Sequence, residues 1–385
     1  MRLAVVGSGR SVHAVSRSAA VAARGHEVRF VTVGEVLPAA GMDVRTRPLP
    51  RGPLAAARAA RSFLCDLRDF RPDLLHLHYA GGKLGTMAAL AGIRPLVVTV
   101  MGGDVLPEQH PGGLSSLERR ATRRILEQAD LLLVKSEALR PALDAWGGFA
   151  AKSEVVRWGV DPARFRRNPA AADAIRARLG LSARDRVILS PRPLAPLYNV
   201  HLVVDAMAEV LAAAPDALLA ITEYNADASY RESVRRRAQH LGDRVRFVGV
   251  FPAADMPALH SLAEAIVSVP SSDGLPQSLF EAMACETPAV LGRLPAYAEA
   301  VTDGESALLV DRSAPAIAAA LVRLLSDEGL RGRLTARALE RVRAVGLLPR
   351  ELERVDRLYQ ELVARGPRPA PGRGRWLDLA GLLLR

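Results

Sequence analysis

Short apolar runs that alternate with helical segments, each run closed by a glycine or polar loop, constrain this chain more than any other feature. Arg2 to Val6 is followed by Gly7-Ser8-Gly9-Arg10, an Ala/Val-rich segment ending at Arg24-Gly25-His26, and a second run, Glu27 to Val33. That order is strand, glycine loop, helix, strand, the opening of a doubly wound α/β domain. Leu74 to His78, Leu96 to Met101 and Leu131 to Val134 continue the alternation. A second series follows at Val187 to Ser190, Leu218 to Thr222, Val245 to Val248 and Ile266 to Pro270. Between the two series, Trp158 to Pro169 is irregular, basic and proline-containing, which places the interdomain link there. A length of 385 residues is enough for two buried cores. Ligands of such sheets bind beyond the carboxyl ends of the strands, so function is expected at those loops and in a cleft between two facing domains.

Composition narrows the partners. The chain is 49% hydrophobic and 24% charged, which excludes a disordered protein. Its net charge is +11, but aromatic residues are only 4%, too few for the stacking platforms of a single-strand nucleic-acid binder. Lys83, Lys135 and Lys152 are the only lysines. Nearly all the positive charge is therefore arginine, the better bidentate partner for phosphate, although a compositional bias gives the same count. Arg119, Arg120, Arg123 and Arg124 gather on one side of a helix. With Glu118 and Glu127 they make either a solvated face or a peripheral contact to an anionic membrane carrying a lipid-linked acceptor. Cys65 and Cys285 have neither a disulfide framework nor metal-ligand spacing, which points to a reducing compartment. The run Leu3 to Val6 is too short for a secretion signal and no stretch is long enough to span a bilayer, so a cytoplasmic chain, at most peripheral at the inner membrane face, is expected.

The first glycine loop lacks a third glycine and a ribose-binding acid, so a nicotinamide site is not expected. Candidates to face an acceptor are Gly7, Ser8, Gly9 and His13 at the first loop and helix, His78 at the end of a strand, and Gly103-Asp104 after another. His76 and His78 lie on one side of their strand, but no third metal ligand of suitable spacing accompanies them; a satisfied or substrate-facing pair fits better. Asp104 either meets a hydroxyl-rich ligand or caps the next helix. The densest chemistry is in Ser271 to Cys285. Here a buried strand leads through a tight turn at Gly274 to a helix with Pro276 in its first turn. A helix N-terminus offers unpaired N–H groups and the positive end of a dipole, a seat for phosphate. Asp273 is expected at its lip and Glu281 inside.

Val245-Arg246-Phe247-Val248-Gly249, Ser271 to Cys285 and Thr287-Pro288 together resemble the C-terminal domain of glycosyltransferase family 4, the retaining nucleotide-sugar enzymes of GT-B fold. Gly25-His26-Glu27-Val28, Gly159-Val160-Asp161 with Phe165, Arg192 before Tyr198-Asn199, and Asp303-Gly304 before Ala307 to Val310 match the family's landmarks in order, over roughly residues 1 to 365. The resemblance implies an acceptor-binding Rossmann-like domain over 1–165 and a nucleotide-sugar domain over 170–345. It also implies a helix over 346–365 crossing back to the first domain. Beyond it, the Pro/Gly/Arg-rich stretch Gly366 to Arg375 and the apolar run Trp376 to Leu384 read by composition as a mobile basic and apolar tail over 366–385. It implies that Asp273 and Glu281 stand at the two acids of the E-x7-E signature, the first for donor-sugar hydroxyls and the second for ribose. An ionised carboxylate can accept two such O–H donors. Arg192 then faces the diphosphate, with Gly274, Leu275, Pro276, Gln277, Ser278, Tyr198, Asn199 and Glu223 around the donor.

Four departures from the family accompany the match: no lysine near Leu197-Tyr198-Asn199, Thr222-Glu223-Tyr224-Asn225 in place of a glycine-rich loop, Glu286 in place of the common glycine after Cys285, and Met101 where a histidine is common. Without the lysine, Arg192, the N–H groups of Gly274 to Ser278 and the Tyr198 hydroxyl must stabilise the leaving diphosphate. No Asp-x-Asp occurs, so metal-independent transfer with no cofactor is expected. The expected reaction moves a sugar from a UDP- or GDP-activated donor to a glycan, lipid-linked or small-molecule acceptor. A nucleotide-sugar epimerase and a non-catalytic nucleotide-sugar binder are the alternatives.

Overall fold

The computed structural model describes residues 1–48, 53–109 and 112–367. Two compact units emerge, one of Met1–Arg157 with the segment from Arg350 onward, the other of Trp158–Pro349. From residue 368 the basic and apolar tail lies outside the described residues.

In the first unit the order is β1 (Arg2–Val6), α1 (Val12–Ala22), β2 (Glu27–Val33), β3 (Asp43–Arg47), α2 (Pro53–Asp69), β4 (Leu74–His78), α3 (Gly82–Leu90), β5 (Leu96–Val100), α4 (Ser116–Gln128), β6 (Leu131–Val134), α5 (Arg140–Gly147) and β7 (Ser153–Val155). All the pairings are parallel, in the sheet order β3-β2-β1-β4-β5-β6-β7. Helices cover both faces of such a sheet, so its strands read as continuous apolar runs. Every residue of β4 and β5 is buried, among them His76 and His78. Phe63 and Leu67 of α2 and Ile125 of α4 belong to the same core as Leu75, Val98 and Leu132 of the sheet.

The second unit repeats the plan with α6 (Pro169–Arg178), β8 (Arg186–Ser190), α7 (Val200–Ala213), β9 (Ala217–Ile221), α8 (Ala228–Ala238), β10 (Val245–Phe247), α9 (Met256–Leu262), β11 (Ala265–Ser268), α10 (Gln277–Ala284), β12 (Ala289–Gly292), α11 (Pro295–Ala298), β13 (Leu308–Val310), α12 (Ala314–Ser326) and α13 (Glu328–Val345). Its parallel sheet runs β10-β9-β8-β11-β12-β13. Val204 and Met207 of α7 and Leu321 and Leu324 of α12 fill the core with Ile188, Leu219 and Val267. The stretch 158–169, read from sequence as a link, is tied into this unit. Arg164 donates to the Ala253 carbonyl, and the Asn168 amide donates to Ser261 Oγ at 3.1 Å. At Gly159 the backbone is left-handed (φ 44°), and a side chain there would run into the Gly346 carbonyl.

The last helix, α14 (Leu348–Arg365), joins the first unit from Arg350 onward. Glu351 accepts from the Arg157 amide at 2.9 Å, Asp356 pairs with Arg24 and His26, and the Tyr359 hydroxyl bonds His76 Nδ1 at 2.6 Å. His76 Nε2 meets Thr99 Oγ1 at 2.7 Å, so both of its ring nitrogens have partners. Burial, followed by the nearby Arg17 charge, pushes the His76 imidazole down from 6.5 to about 3. The depressed value makes the stability contribution fully present above the unfolded-state value and lost as pH falls through the folded one. Hydrogen-exchange protection of α14 and β4, corrected for intrinsic exchange, should therefore decline progressively as pH drops from 6.5 toward 3. Constant protection across that window would contradict the assignment.

Candidate active site

The order of each sheet reverses once, between β1 and β4 in the first unit and between β8 and β11 in the second. Loops leaving the two strands of such a switch point diverge to opposite faces and leave a crevice at their carboxyl ends. In the second unit those loops carry Arg192, after β8, and Asp273, after β11. Strand adjacency thus brings together residues 81 positions apart.

Arg192 Nη2 donates to Asp273 Oδ2 at 2.6 Å, and Nη1 lies 3.4 Å from Ser278 Oγ in the first turn of α10. The Arg192 guanidinium sits over the Tyr198 ring, 4.7 Å from its centroid. Burial opposes the Arg192 charge, but Asp273, Tyr297 and Tyr198 outweigh it and hold its pKa above the ordinary arginine value. The Tyr297 hydroxyl donates to the same Asp273 oxygen at 3.1 Å. Side-chain exposure is 9% for Asp273 and 17% for Glu281. Both carboxylates are largely enclosed, Asp273 by Arg192 and Tyr297, so neither stands out as an exposed lip. Glu281 Oε2 lies 3.5 Å from Nε2 of the fully buried His260 on α9.

The chain bends at Gly274, as expected, and the next residue adds an unexpected feature. Left-handed backbone falls on Leu275 (φ 81°), not a glycine, and its side chain is buried. A non-glycine residue in that region costs about 1–3 kcal/mol. Burial of a leucine side chain, worth about 1.5–3 kcal/mol, offsets it. Pro276 is the N-cap of α10 and the Gln277 side chain donates to the Gly159 carbonyl, which anchors the helix start. Asn199, itself left-handed, donates to the Val269 carbonyl and to Ser271 Oγ, both at 3.0 Å, and the Ser271 amide donates to the Leu197 carbonyl at 2.8 Å. Asn199 thus braces the two loops against each other. Glu223, after β9, pairs with Arg235 at 2.8 Å.

In the first unit, Gly7, Ser8 and Gly9 follow β1, His13 lies on α1, His78 ends β4 and Gly103-Asp104 follow β5, so all the acceptor candidates gather at one end of the sheet. A side chain at Gly7 would crowd the His78 Cβ at 3.3 Å. The two histidine rings lie 4.3 Å apart, with His78 depressed by burial and then by His76, Arg17 and His13. Asp104 is consumed internally: its carboxylate accepts from the amides of Ala80, Met101 and Gly102. It holds the loops after β4 and β5 together and leaves no oxygen projecting as a free sugar acceptor or a helix cap. Among the described residues, no group of three His, Cys, Asp or Glu is placed to hold a metal, and no helix is long and apolar enough to cross a membrane.

Sequence reading missed Tyr297 and His260. The signal for Tyr297 was sheet order: β12 is the neighbour of β11, so the segment after β12 reaches the loop after β11.

Two parallel doubly wound units, the second with an arginine and a carboxylate at a helix N-terminus, define a chain of GT-B type. Residues 7–164 match the family model described as Glycosyltransferase Family 4, and residues 171–341 match Glycosyl transferases group 1. A GDP-mannose-dependent alpha-(1-6)-phosphatidylinositol monomannoside mannosyltransferase of Mycolicibacterium smegmatis is 32% identical over 255 residues, covering 63% of this chain and 64% of that protein. The match thus spans under two thirds of that relative's length. A D-inositol 3-phosphate glycosyltransferase of Kineococcus radiotolerans is 32% identical over 305 residues, covering 71% of this chain and 68% of that protein. Sucrose-phosphate synthase of Thermosynechococcus elongatus shares the fold, with a TM-score of 0.79 at 22% identity over 95% of this chain and all of that one. The chain belongs to glycosyltransferase family 4.

Proposed function

We propose that this chain transfers a sugar from a UDP- or GDP-activated donor to a hydroxyl of an acceptor, with retention of configuration and without a metal ion. The observation that carries the reading is the Arg192 guanidinium held between Asp273 and Ser278 at the start of α10. Bond breaking gathers charge on the diphosphate oxygens, and a preorganised guanidinium beside helix amides is suited to that charge. Asp273 would hold donor-sugar hydroxyls and Glu281 the ribose; Gly274 to Ser278, Tyr198, Asn199 and Glu223 form the surround. Lack of any Asp-x-Asp in the sequence supports metal independence. Retention rests on family membership.

The acceptor reading draws on the relatives. The two named above act on a phosphatidylinositol mannoside and on an inositol phosphate. An inositol-containing acceptor, bound by the loops after β1, β4 and β5, is the corresponding proposal here. Arg119, Arg120 and Arg123 are exposed on α4, which suits peripheral contact with an anionic membrane if that acceptor is a lipid.

Purified protein given UDP- and GDP-sugars and inositol acceptors should form a glycosylated product at the same rate in EDTA as in magnesium. Replacing Asp273 with Ala should abolish it. Donor binding without turnover on any acceptor would favour a non-catalytic binder, the reading that the missing lysine brings forward.

A further inference from the structure

We infer that Tyr297 is a positioning residue for donor-sugar recognition, aiming the Asp273 carboxylate by holding one of its two oxygens. The inference rests on the donor reading given above. Both protein donors converge on Oδ2: Arg192 Nη2 at 2.6 Å and the Tyr297 hydroxyl at 3.1 Å. A carboxylate has about four acceptor sites on its two oxygens, so with both donors on Oδ2 the sites of Oδ1 are the ones left for sugar hydroxyls.

Tyr297 is built to hold that position. Its side chain is fully buried, its amide donates to the Leu294 carbonyl at 3.0 Å, and its own carbonyl accepts from Ala300 and Val301, both at 2.9 Å. Burial, and then the Asp273 charge, keep its hydroxyl protonated far above neutral pH, so it remains a donor throughout the working range.

The pair of donors also explains how Arg192 can serve two anions. When a diphosphate arrives, Arg192 can turn to it. The Tyr297 hydroxyl then fixes the direction in which the Asp273 carboxylate faces. The shorter acid at this position makes such support more consequential, since an aspartate reaches one methylene less far than the family's glutamate. Without Tyr297, Arg192 leaving for the diphosphate would free the carboxylate plane to rotate away from the sugar.

The test compares a nucleoside diphosphate with the same nucleotide bearing its sugar. Tyr297→Phe retains the ring and removes only the hydroxyl. It should weaken the dissociation constant of the responding UDP- or GDP-sugar about tenfold, in the range of a lost hydrogen bond to a charged group. Affinity for UDP or GDP alone should stay within about twofold. In an Asp273→Ala background, the same Tyr297→Phe change should have no further effect on sugar-nucleotide affinity. Equal weakening of both ligands would mean a merely structural tyrosine and would overturn the inference, as would unchanged sugar-nucleotide binding. An effect of undiminished size in the Asp273→Ala background would overturn it too. If the unsubstituted protein binds no nucleoside diphosphate, the donor reading itself falls and this inference with it; if it binds and turns over the donor but Tyr297→Phe matches it, only the inference falls.

Discussion

Replacing Arg192 with methionine should lower kcat by about 10²–10³, the cost of one lost oxyanion donor. It should also destabilise the second unit by about 3–5 kcal/mol, since removing one member of a buried pair strands the other. Both effects follow from one geometry. Arg192 and Asp273 are 10% and 9% exposed, and they face each other at 2.6 Å. Pairing Arg192→Met with Asp273→Leu separates the two. An apolar pair of similar volume is often neutral relative to a buried ion pair, so the double variant should regain most of the lost stability in urea titrations. Turnover should stay at the floor. Recovery of activity along with stability would show that the pair serves folding alone.

Glu281→Ala should act on a different quantity. Two ribose hydroxyls donating to one carboxylate are each worth about 1.5–3 kcal/mol, so nucleoside diphosphate affinity should fall at least about a hundredfold. Because ribose is remote from the reacting carbon, the loss should appear in the donor KM, with kcat at saturation changed far less. Calorimetric titration with UDP or GDP, followed by kinetics at saturating donor, checks both halves. A kcat collapse with KM unchanged would move Glu281 to the reacting centre. Fully buried His260 lies 3.5 Å from that carboxylate.

These two carboxylates also show what the sequence makes legible. Their spacing, the strand before them and the helix after them were readable, because apolar runs and glycine or proline punctuation are local signals. Strand bounds shifted by only a residue or so, as with Leu218 to Thr222 against the observed Ala217–Ile221. β3, β7, β12 and β13 went unread: β3 because Asp43–Arg47 is short, charged and at the sheet edge, where one flank needs no apolar partner, and the other three because they are only three or four residues long. The left-handed backbone at Leu275, one residue past the expected bend at Gly274, was not legible because a buried side chain can compensate it, and burial is a property of the folded unit. Asp104 read as a ligand-facing or capping acid, whereas three backbone amides from two loops consume it. Tyr297 gave no local signal at all. Its partner is 24 residues away, and only the order of strands makes them neighbours.

The Arg192 and Asp273 pairing has a further consequence. A pair that carries its own counter-charge projects little net field of its own into solvent. On the proposed donor reading, what it would offer a diphosphate is short-ranged: amide dipoles at the start of α10 and a guanidinium able to exchange Asp273 for phosphate. Discrimination in such a site operates at close range, where a sugar nucleotide must replace the carboxylate that arginine already holds. A free phosphate brings charge but no hydroxyls for Asp273 to accept in exchange. On that reading the resting ion pair would act as a filter, favouring a molecule that carries phosphate and sugar together.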